Sequence, residues 1–189
     1  MLEKWDRHLD TTSRGAVLFI DFSDRYFSGG DFINKDLRVP FNPKDTLNSA
    51  YGVADVKAAL AALSLAAAHV EKTYGALDIA YGEVYRFERG AKDLPGNGGA
   101  GRLGLFRTMS FSKKKGNRFY PTHGETFVCA IEFSSPQKAN CVLGYGNASQ
   151  PGSNHMDDQL QLMVDKKMHP VWRLRKDIEA NLEKREALN

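Results

Sequence analysis

The sequence lacks the features that mark several common classes of protein. Its 189 residues contain no run of eighteen or more apolar residues, which argues against a membrane-spanning helix. The first residues also lack the basic and apolar regions of a secretory signal peptide, so the chain as given carries no predicted export signal. The net charge of +3 is spread along the chain and therefore predicts neither a nucleic-acid partner nor a membrane partner.

Cysteine is scarce, with only Cys129 and Cys141 in the chain. Both fall on predicted strands and could face each other, so a disulfide stays open, although two buried thiols are the favoured interpretation. Near His155 no second His or Cys stands at metal-ligand spacing, and we predict no metal and no cofactor.

Glycine is concentrated in one stretch that could be mistaken for a nucleotide site. Gly96-x-Gly98-x-x-Gly101 fits the dinucleotide fingerprint, which requires a helix directly after the glycines. Residues 102–107 instead have the pattern of a strand, and no Gly-Lys-Ser/Thr completes a phosphate loop. We therefore interpret these glycines as a flexible turn.

The chain is long enough for one domain with a substantial core. The spacing of Leu2, Trp5 and Leu9 predicts a helical face at the start of the chain. Apolar spacing then predicts a buried helix from Arg14 to Phe27, with N-caps offered by residues 10–13 and an end at Gly29-Gly30. The loop that follows is predicted to tuck in Phe32, Leu37 and Phe41.

A longer helix is predicted from Gly52 to Tyr74, capped by Gly75 and packed on a sheet. Its apolar stripe consists of Val53, Val56, Leu60, Leu63, Ala67, Val70 and Tyr74. The predicted organisation is a single unit with residues 1–75 mainly helical, 76–146 mainly strands, and 147–189 a terminal motif followed by a helical tail.

Two alternating segments predict a hairpin in the second half of the chain. One apolar face carries Phe127, Cys129, Ile131 and Phe133, and the following segment, 140–145, alternates in the same way. The five residues between them are turn formers, so the pair predicts an antiparallel hairpin whose apolar face belongs to the core.

The loop after this hairpin is unusually rich in Gly, Pro and small polar residues. We select nine of its positions as a structural motif: Tyr145, Gly146, Asn147, Ser149, Pro151, Ser153, His155, Asp158 and Gln159. In this interpretation a carboxylate and an imidazole anchor the loop to the body of the domain. A local triad of Ser153, His155 and Asp157 is excluded, because alternate residues of an extended chain lie ~7 Å apart, too far for a direct hydrogen bond.

The pattern Tyr-Gly-Asn-x-Ser-x-Pro-x-Ser-x-His-x-x-Asp-Gln at 145–159 closely resembles the C-terminal signature of the penicillin acylase family of N-terminal-nucleophile hydrolases. It is most similar to the branch that acts on acyl-homoserine lactones or on aculeacin. Three further segments resemble family patterns in the same order: 2–6, 81–85 and 124–128. Tyr81 and Asn154 depart from the family, which usually has Trp and Pro there.

This resemblance implies an α+β fold that forms part of an αββα sandwich. It also implies that the chain is the C-terminal part of a β-subunit, whose catalytic serine, oxyanion-hole groups and essential asparagine lie upstream. No catalytic residue is therefore assigned here. Gly152-Ser153-Asn154 resembles the family's processing site, but too few residues follow Ser153 to form a β-subunit.

The implied partners are the rest of the β-subunit, the α-subunit and an N-acyl small molecule. The complete enzyme would be periplasmic or secreted, and this chain alone would be inactive. The alternative hypothesis is a stand-alone, non-catalytic binding or scaffold module that keeps the fold.

Overall fold

A computed structural model describes residues 1–27 and 34–187. Within these ranges helices occur together with short antiparallel strand pairs, which confirms the predicted α+β class. The contacts divide the chain into two compact units, Met1–Gly124 and Glu125–Asn189. The predicted helix end at Gly29-Gly30 and the predicted packing of Phe32 lie outside the described residues, as does Leu188 at the end of the predicted tail.

The regular elements are numbered in chain order. The helices are α1 (Ala16–Tyr26), α2 (Val56–Tyr74), α3 (Tyr81–Val84), α4 (Leu160–Val164) and α5 (Arg175–Ala180). The strands of the first unit are β1 (Leu37–Val39), β2 (Tyr51–Val53), β3 (Arg86–Arg89), β4 (Lys92–Pro95), β5 (Met109–Ser110), β6 (Lys113–Lys115), β7 (Arg118–Tyr120) and β8 (His123–Gly124). Those of the second unit are β9 (Phe127–Glu132), β10 (Lys138–Leu143) and β11 (His169–Pro170).

Helix α2 begins and ends where its capping residues allow. The carboxylate of Asp55 accepts a hydrogen bond from the backbone N–H of Ala58 at 2.9 Å, which explains why the helix begins after Gly52. Gly75 closes the helix in the left-handed conformation with φ of 78°, and the predicted cap is thus confirmed.

The buried face of α2 matches the predicted apolar stripe only from Leu63 onward. Val70 is buried and Leu63, Ala67 and Tyr74 pack against the core, whereas Val56 and Leu60 are exposed. The other buried positions are Ala59, Ala62 and Ala66. The small alanines let α2 approach α1 closely, so α2 packs against a helix and the predicted packing against a sheet was wrong. The buried cluster that includes these helices also contains Tyr81 and Val84 from α3.

Helix α1 lies within the predicted range, but its start is not capped by a side chain from residues 10–13. Its N-cap is Gly15, with φ of 104°. The preceding segment forms only a 3-10 turn at Leu2–Lys4, and the helix expected from the spacing of Leu2, Trp5 and Leu9 does not form. The later loop residue Phe41 was predicted to be tucked in and is exposed.

The glycine-rich stretch is a packed element and not the predicted flexible turn. Strand β4 pairs antiparallel with β3, and residues 96–99 are buried. The buried hydroxyl of Tyr81 donates a hydrogen bond to the Gly98 carbonyl at 2.6 Å, which holds this stretch against α3. A 3-10 turn at Gly101–Leu103 occupies the place of the predicted strand and also of the helix that a dinucleotide site would need.

The second unit contains the predicted hairpin. Strand β10 pairs antiparallel with β9, in a three-stranded sheet of order β11-β10-β9. The predicted burial of its apolar face was wrong: Phe127 is 57 % exposed, Ile131 49 % and Phe133 90 %. Val142 lies on the opposite face and is buried. The alternation of apolar residues identified which residues share a face of the sheet. It could not identify the buried face, because burial depends on what packs against the sheet.

No helix within residues 1–27 and 34–187 is long and apolar enough to cross a membrane.

Candidate functional site

The terminal motif, residues 145–159, follows strand β10. The chain turns away from the strand at Tyr145, which has a left-handed backbone conformation with φ of 76°. Gln159 closes the loop at its base in two ways. Its backbone N–H donates to the Tyr145 carbonyl at 2.9 Å, and its side-chain carbonyl oxygen accepts from the Leu143 N–H at 2.8 Å. The loop is therefore tied to the end of β10 by Gln159, one of the nine selected residues.

The loop has two arms, one at residues 145–148 and the other at residues 155–158, and they approach each other closely at Gly146. A Cβ added to Gly146 would lie 2.2 Å from the His155 carbonyl oxygen and 2.8 Å from a carboxylate oxygen of Asp158. The Ala148 N–H donates to the same His155 carbonyl at 3.1 Å. Glycine is therefore the residue that fits this position.

The His155 ring lies between two carboxylates. Its Nδ1 is 2.8 Å from Asp158 Oδ2, and its Nε2 is 2.8 Å from Glu183 Oε2. Hydrogen bonds to Asp158 and then to Glu183 raise the pKa of His155 above its ordinary value of 6.5. Because both ring nitrogens face acceptors, the arrangement favours the doubly protonated imidazolium.

This geometry leaves no place for the local Ser-His-Asp arrangement. The Ser153 hydroxyl accepts a hydrogen bond from the His155 backbone N–H at 3.2 Å, and both ring nitrogens are engaged by carboxylates. Glu183 was missed by the sequence reasoning, since it lies 28 positions beyond His155 in a charged tail without any motif. Asn147, Ser149 and Pro151 are exposed on the outer side of the loop.

The two carboxylates beside His155 make the stability of the terminal motif depend on pH, and the direction of this dependence follows from the raised pKa. A raised pKa means that the charged imidazole is stabilised in the folded state, so this contribution is fully present below pH ~6.5 and is lost as the pH rises through the folded pKa. We expect an NMR titration to place the His155 pKa above 6.5, and Glu183→Gln to lower it.

Glu186→Gln is the matched control for this titration, because Glu186 pairs with Lys184 and not with His155. An equal pKa for His155 in the wild-type chain and in Glu183→Gln would contradict the pairing.

A second candidate site is an apolar cavity in the first unit, of about 740 Å³. Its walls include Trp5, Phe19 and Phe22, with Arg102 at one side. An Arg102 guanidinium nitrogen lies 2.6 Å from Asp24 Oδ1. Burial raises the pKa of Asp24, and the charge of Arg102 opposes this shift only in part. The cavity can accept an apolar chain, and the spacing of its lining residues along the sequence gave no signal for it.

Neither site unites a hydroxyl nucleophile with a base among the residues that the structure describes. The same ranges contain no cluster of three His, Cys, Asp or Glu side chains that could hold a metal ion. The fold and the two sites thus define an α+β protein with a closely tied terminal loop in one unit and an apolar cavity in the other.

Comparison with known proteins agrees with the resemblance seen in the sequence. Residues 1–180 match the penicillin amidase family, and the chain belongs to that family. It is 26 % identical over 171 residues to "Acyl-homoserine lactone acylase PvdQ" of Pseudomonas syringae pv. tomato, an alignment that covers 87 % of this chain and 22 % of that protein. The protein of the same name from Pseudomonas fluorescens is 25 % identical over 135 residues, covering 68 % and 17 % of the two chains. The chain therefore spans about a fifth of the length of the curated relatives it matches.

Proposed function

We propose that residues 1–189 form the C-terminal part of the β-subunit of an enzyme that hydrolyses the acyl amide bond of N-acyl compounds. The nucleophile would be an N-terminal serine supplied from outside these residues. The observation that carries this proposal is the family match over residues 1–180, in a chain that covers about a fifth of its acylase relatives. The names of those relatives favour acyl-homoserine lactones as the substrate class.

The exposed hairpin supports a role as part of a larger assembly. In the described ranges no strand pairs with the outer edge of β9, and the adjoining face exposes Phe127, Ile131 and Phe133. An open strand edge beside an apolar face favours pairing with another polypeptide. The occupant we propose is the remainder of the β-subunit, and the α-subunit would complete the enzyme.

The cavity of the first unit supports an acyl substrate. Its volume of about 740 Å³ is within the usual range of small-molecule sites, and its aromatic walls suit an acyl chain. In the proposed reaction the serine attacks the amide carbonyl, the amine leaves, and water then releases the acyl group as a carboxylic acid. The nine residues of the terminal motif would have a structural role, with Gln159 and His155 holding the loop after β10. The complete enzyme would act in the periplasm or outside the cell.

The second candidate function is a non-catalytic binding or scaffold module. The observation that favours it is that neither described site joins a hydroxyl nucleophile to a base. Both functions predict that residues 1–189 alone do not turn over an amide, so the isolated chain cannot separate them.

The decisive experiment compares the isolated chain with the chain expressed together with the upstream acylase segment that this proposal expects in its gene. We expect residues 1–189 to leave an N-acyl-homoserine lactone intact, and the joined protein to release the free amine and the fatty acid. Replacing the N-terminal serine of the processed β-subunit by alanine should abolish this turnover, while Ser153→Ala should preserve it. Turnover by the isolated chain that is lost in Ser153→Ala would overturn the proposal, and a correctly processed but inactive joined protein would favour the scaffold.

A further inference from the structure

The two cysteines of the chain stand directly opposite each other in the second unit. Cys141 on β10 is in register with Cys129 on β9. Directly opposed residues of antiparallel strands point to the same face with Cα atoms about 4.5–5.5 Å apart, which is within the range of about 4.4–6.8 Å that a disulfide spans. Both thiols are free in this structure, but the predicted burial of the two thiols was wrong, because Cys129 is exposed and Cys141 only half-buried.

A histidine from the third strand completes the group. His169 Nε2 lies 3.6 Å from Cys141 Sγ, and its Nδ1 lies 3.2 Å from the Pro170 carbonyl oxygen. Since a carbonyl oxygen only accepts, Nδ1 carries the proton, and Nε2 presents its lone pair to the thiol. The imidazole is thus oriented to accept the Cys141 proton.

The surroundings give the two thiols different access to solution. Cys129 faces solvent, whereas Cys141 and His169 line the wall of an open cleft of about 750 Å³ with Trp172 and Leu182. Burial raises the pKa of Cys141, and the neighbouring Cys129 adds to this shift, so Cys141 stays a protonated thiol until a base takes its proton.

From this arrangement we propose that Cys129, Cys141 and His169 form a redox-active dithiol site, which a small disulfide oxidant such as oxidised glutathione converts into a Cys129–Cys141 cross-link between β9 and β10. This inference goes beyond the proposed hydrolase function and is independent of it, because all three residues belong to this chain and perform no step of the amide hydrolysis.

The oxidation proceeds in two exchange steps. The Cys129 thiol first releases its proton to water, and the thiolate attacks one sulfur of oxidised glutathione, forms a mixed disulfide and releases one glutathione thiolate, which takes up a proton from water. Cys141 then attacks the Cys129 sulfur while its proton moves to His169 Nε2, and the second glutathione leaves as a thiolate that takes up this proton. Two protein thiols are oxidised to one disulfide, and one molecule of oxidised glutathione is reduced to two of glutathione.

The test uses the purified full chain, reduced and then exposed to oxidised glutathione, with thiol titration and non-reducing peptide mass mapping over time. We expect both free thiols to disappear together and the map to show residues 129 and 141 joined within one chain. Cys141→Ser should stop at a glutathione adduct on Cys129, and Cys129→Ser should leave Cys141 largely unmodified.

His169→Gln tests the role assigned to the imidazole. We expect it to leave the first exchange unchanged and to slow ring closure about tenfold or more, so that the Cys129 adduct accumulates. His123→Gln, which replaces an exposed histidine of the first unit, is the matched control and should close at the wild-type rate. A wild-type chain that stops at glutathione adducts, or that cross-links only between chains, would overturn the proposal.

Discussion

Tyr81→Ala lowers the free energy of unfolding of the unit Met1–Gly124 by about 3–5 kcal/mol, the usual cost of removing a fully buried aromatic ring. Tyr81 is completely buried, and its ring stacks on Tyr85 with centroids 4.3 Å apart. Burial also raises the pKa of the Tyr81 hydroxyl well above its ordinary value, so the group stays protonated and donates to the Gly98 carbonyl. The substitution removes packing at the centre of the core and the link to the glycine-rich stretch together.

Urea unfolding followed by circular dichroism, with hydrogen exchange of α2 as the local measurement, checks this expectation. Tyr81→Phe separates the two effects: it keeps the ring and leaves the buried Gly98 carbonyl without its Tyr81 donor, at a cost of about 1–3 kcal/mol. Tyr51→Phe, at an exposed strand position, is the matched control and should change stability by less than about 0.5 kcal/mol. Equal stability of Tyr81→Ala and the wild-type chain would show that this core is not assembled as described.

Gly146→Ala destabilises the terminal motif by about 3 kcal/mol, at the upper end of what overpacking costs. The added Cβ would meet the His155 carbonyl oxygen at 2.2 Å, and this oxygen belongs to the backbone and cannot swing away. The two arms of the loop must separate, and the hydrogen bond from the Ala148 N–H to the same carbonyl is lost with them.

Hydrogen exchange of the Ala148 and Gln159 amides measures this loss directly. Gly152→Ala is the matched control in the same loop: Gly152 has φ of 86° but no atom within 4 Å of an added Cβ, so only the backbone strain of about 1–2 kcal/mol applies. The two amides should exchange much faster in Gly146→Ala than in Gly152→Ala. Equal protection in the two variants would count against the close approach of the arms at Gly146.

Patterns within a few residues predicted the secondary-structure elements that short-range interactions determine. The helix over Val56–Tyr74 follows from apolar spacing and from its Gly75 cap, and the hairpin of β9 and β10 follows from alternation on both sides of a short turn. The four motifs placed the chain in its family, which the match over residues 1–180 confirms.

Patterns failed where burial depends on the neighbour. The stripe containing Val56 and Leu60 is as apolar as a core face, yet the smaller alanines of α2 face α1 because they allow the closest packing. Likewise, residues 96–99 have the composition of a flexible turn, yet they are buried. The hydroxyl of Tyr81, 17 positions before Gly98, donates a hydrogen bond to the Gly98 carbonyl.

The amino-acid order alone established the family, whose resemblance implied the α+β class, and predicted the main hairpin, because the motifs and the alternation depend on spacings of a few residues. Only the tertiary structure decided which face of the hairpin is exposed to solvent. It also decided that Glu183 contacts His155 and that His169 contacts Cys141. His155 and Glu183 are 28 positions apart, as are Cys141 and His169. No short-range periodicity specifies a contact between side chains so far apart along the chain.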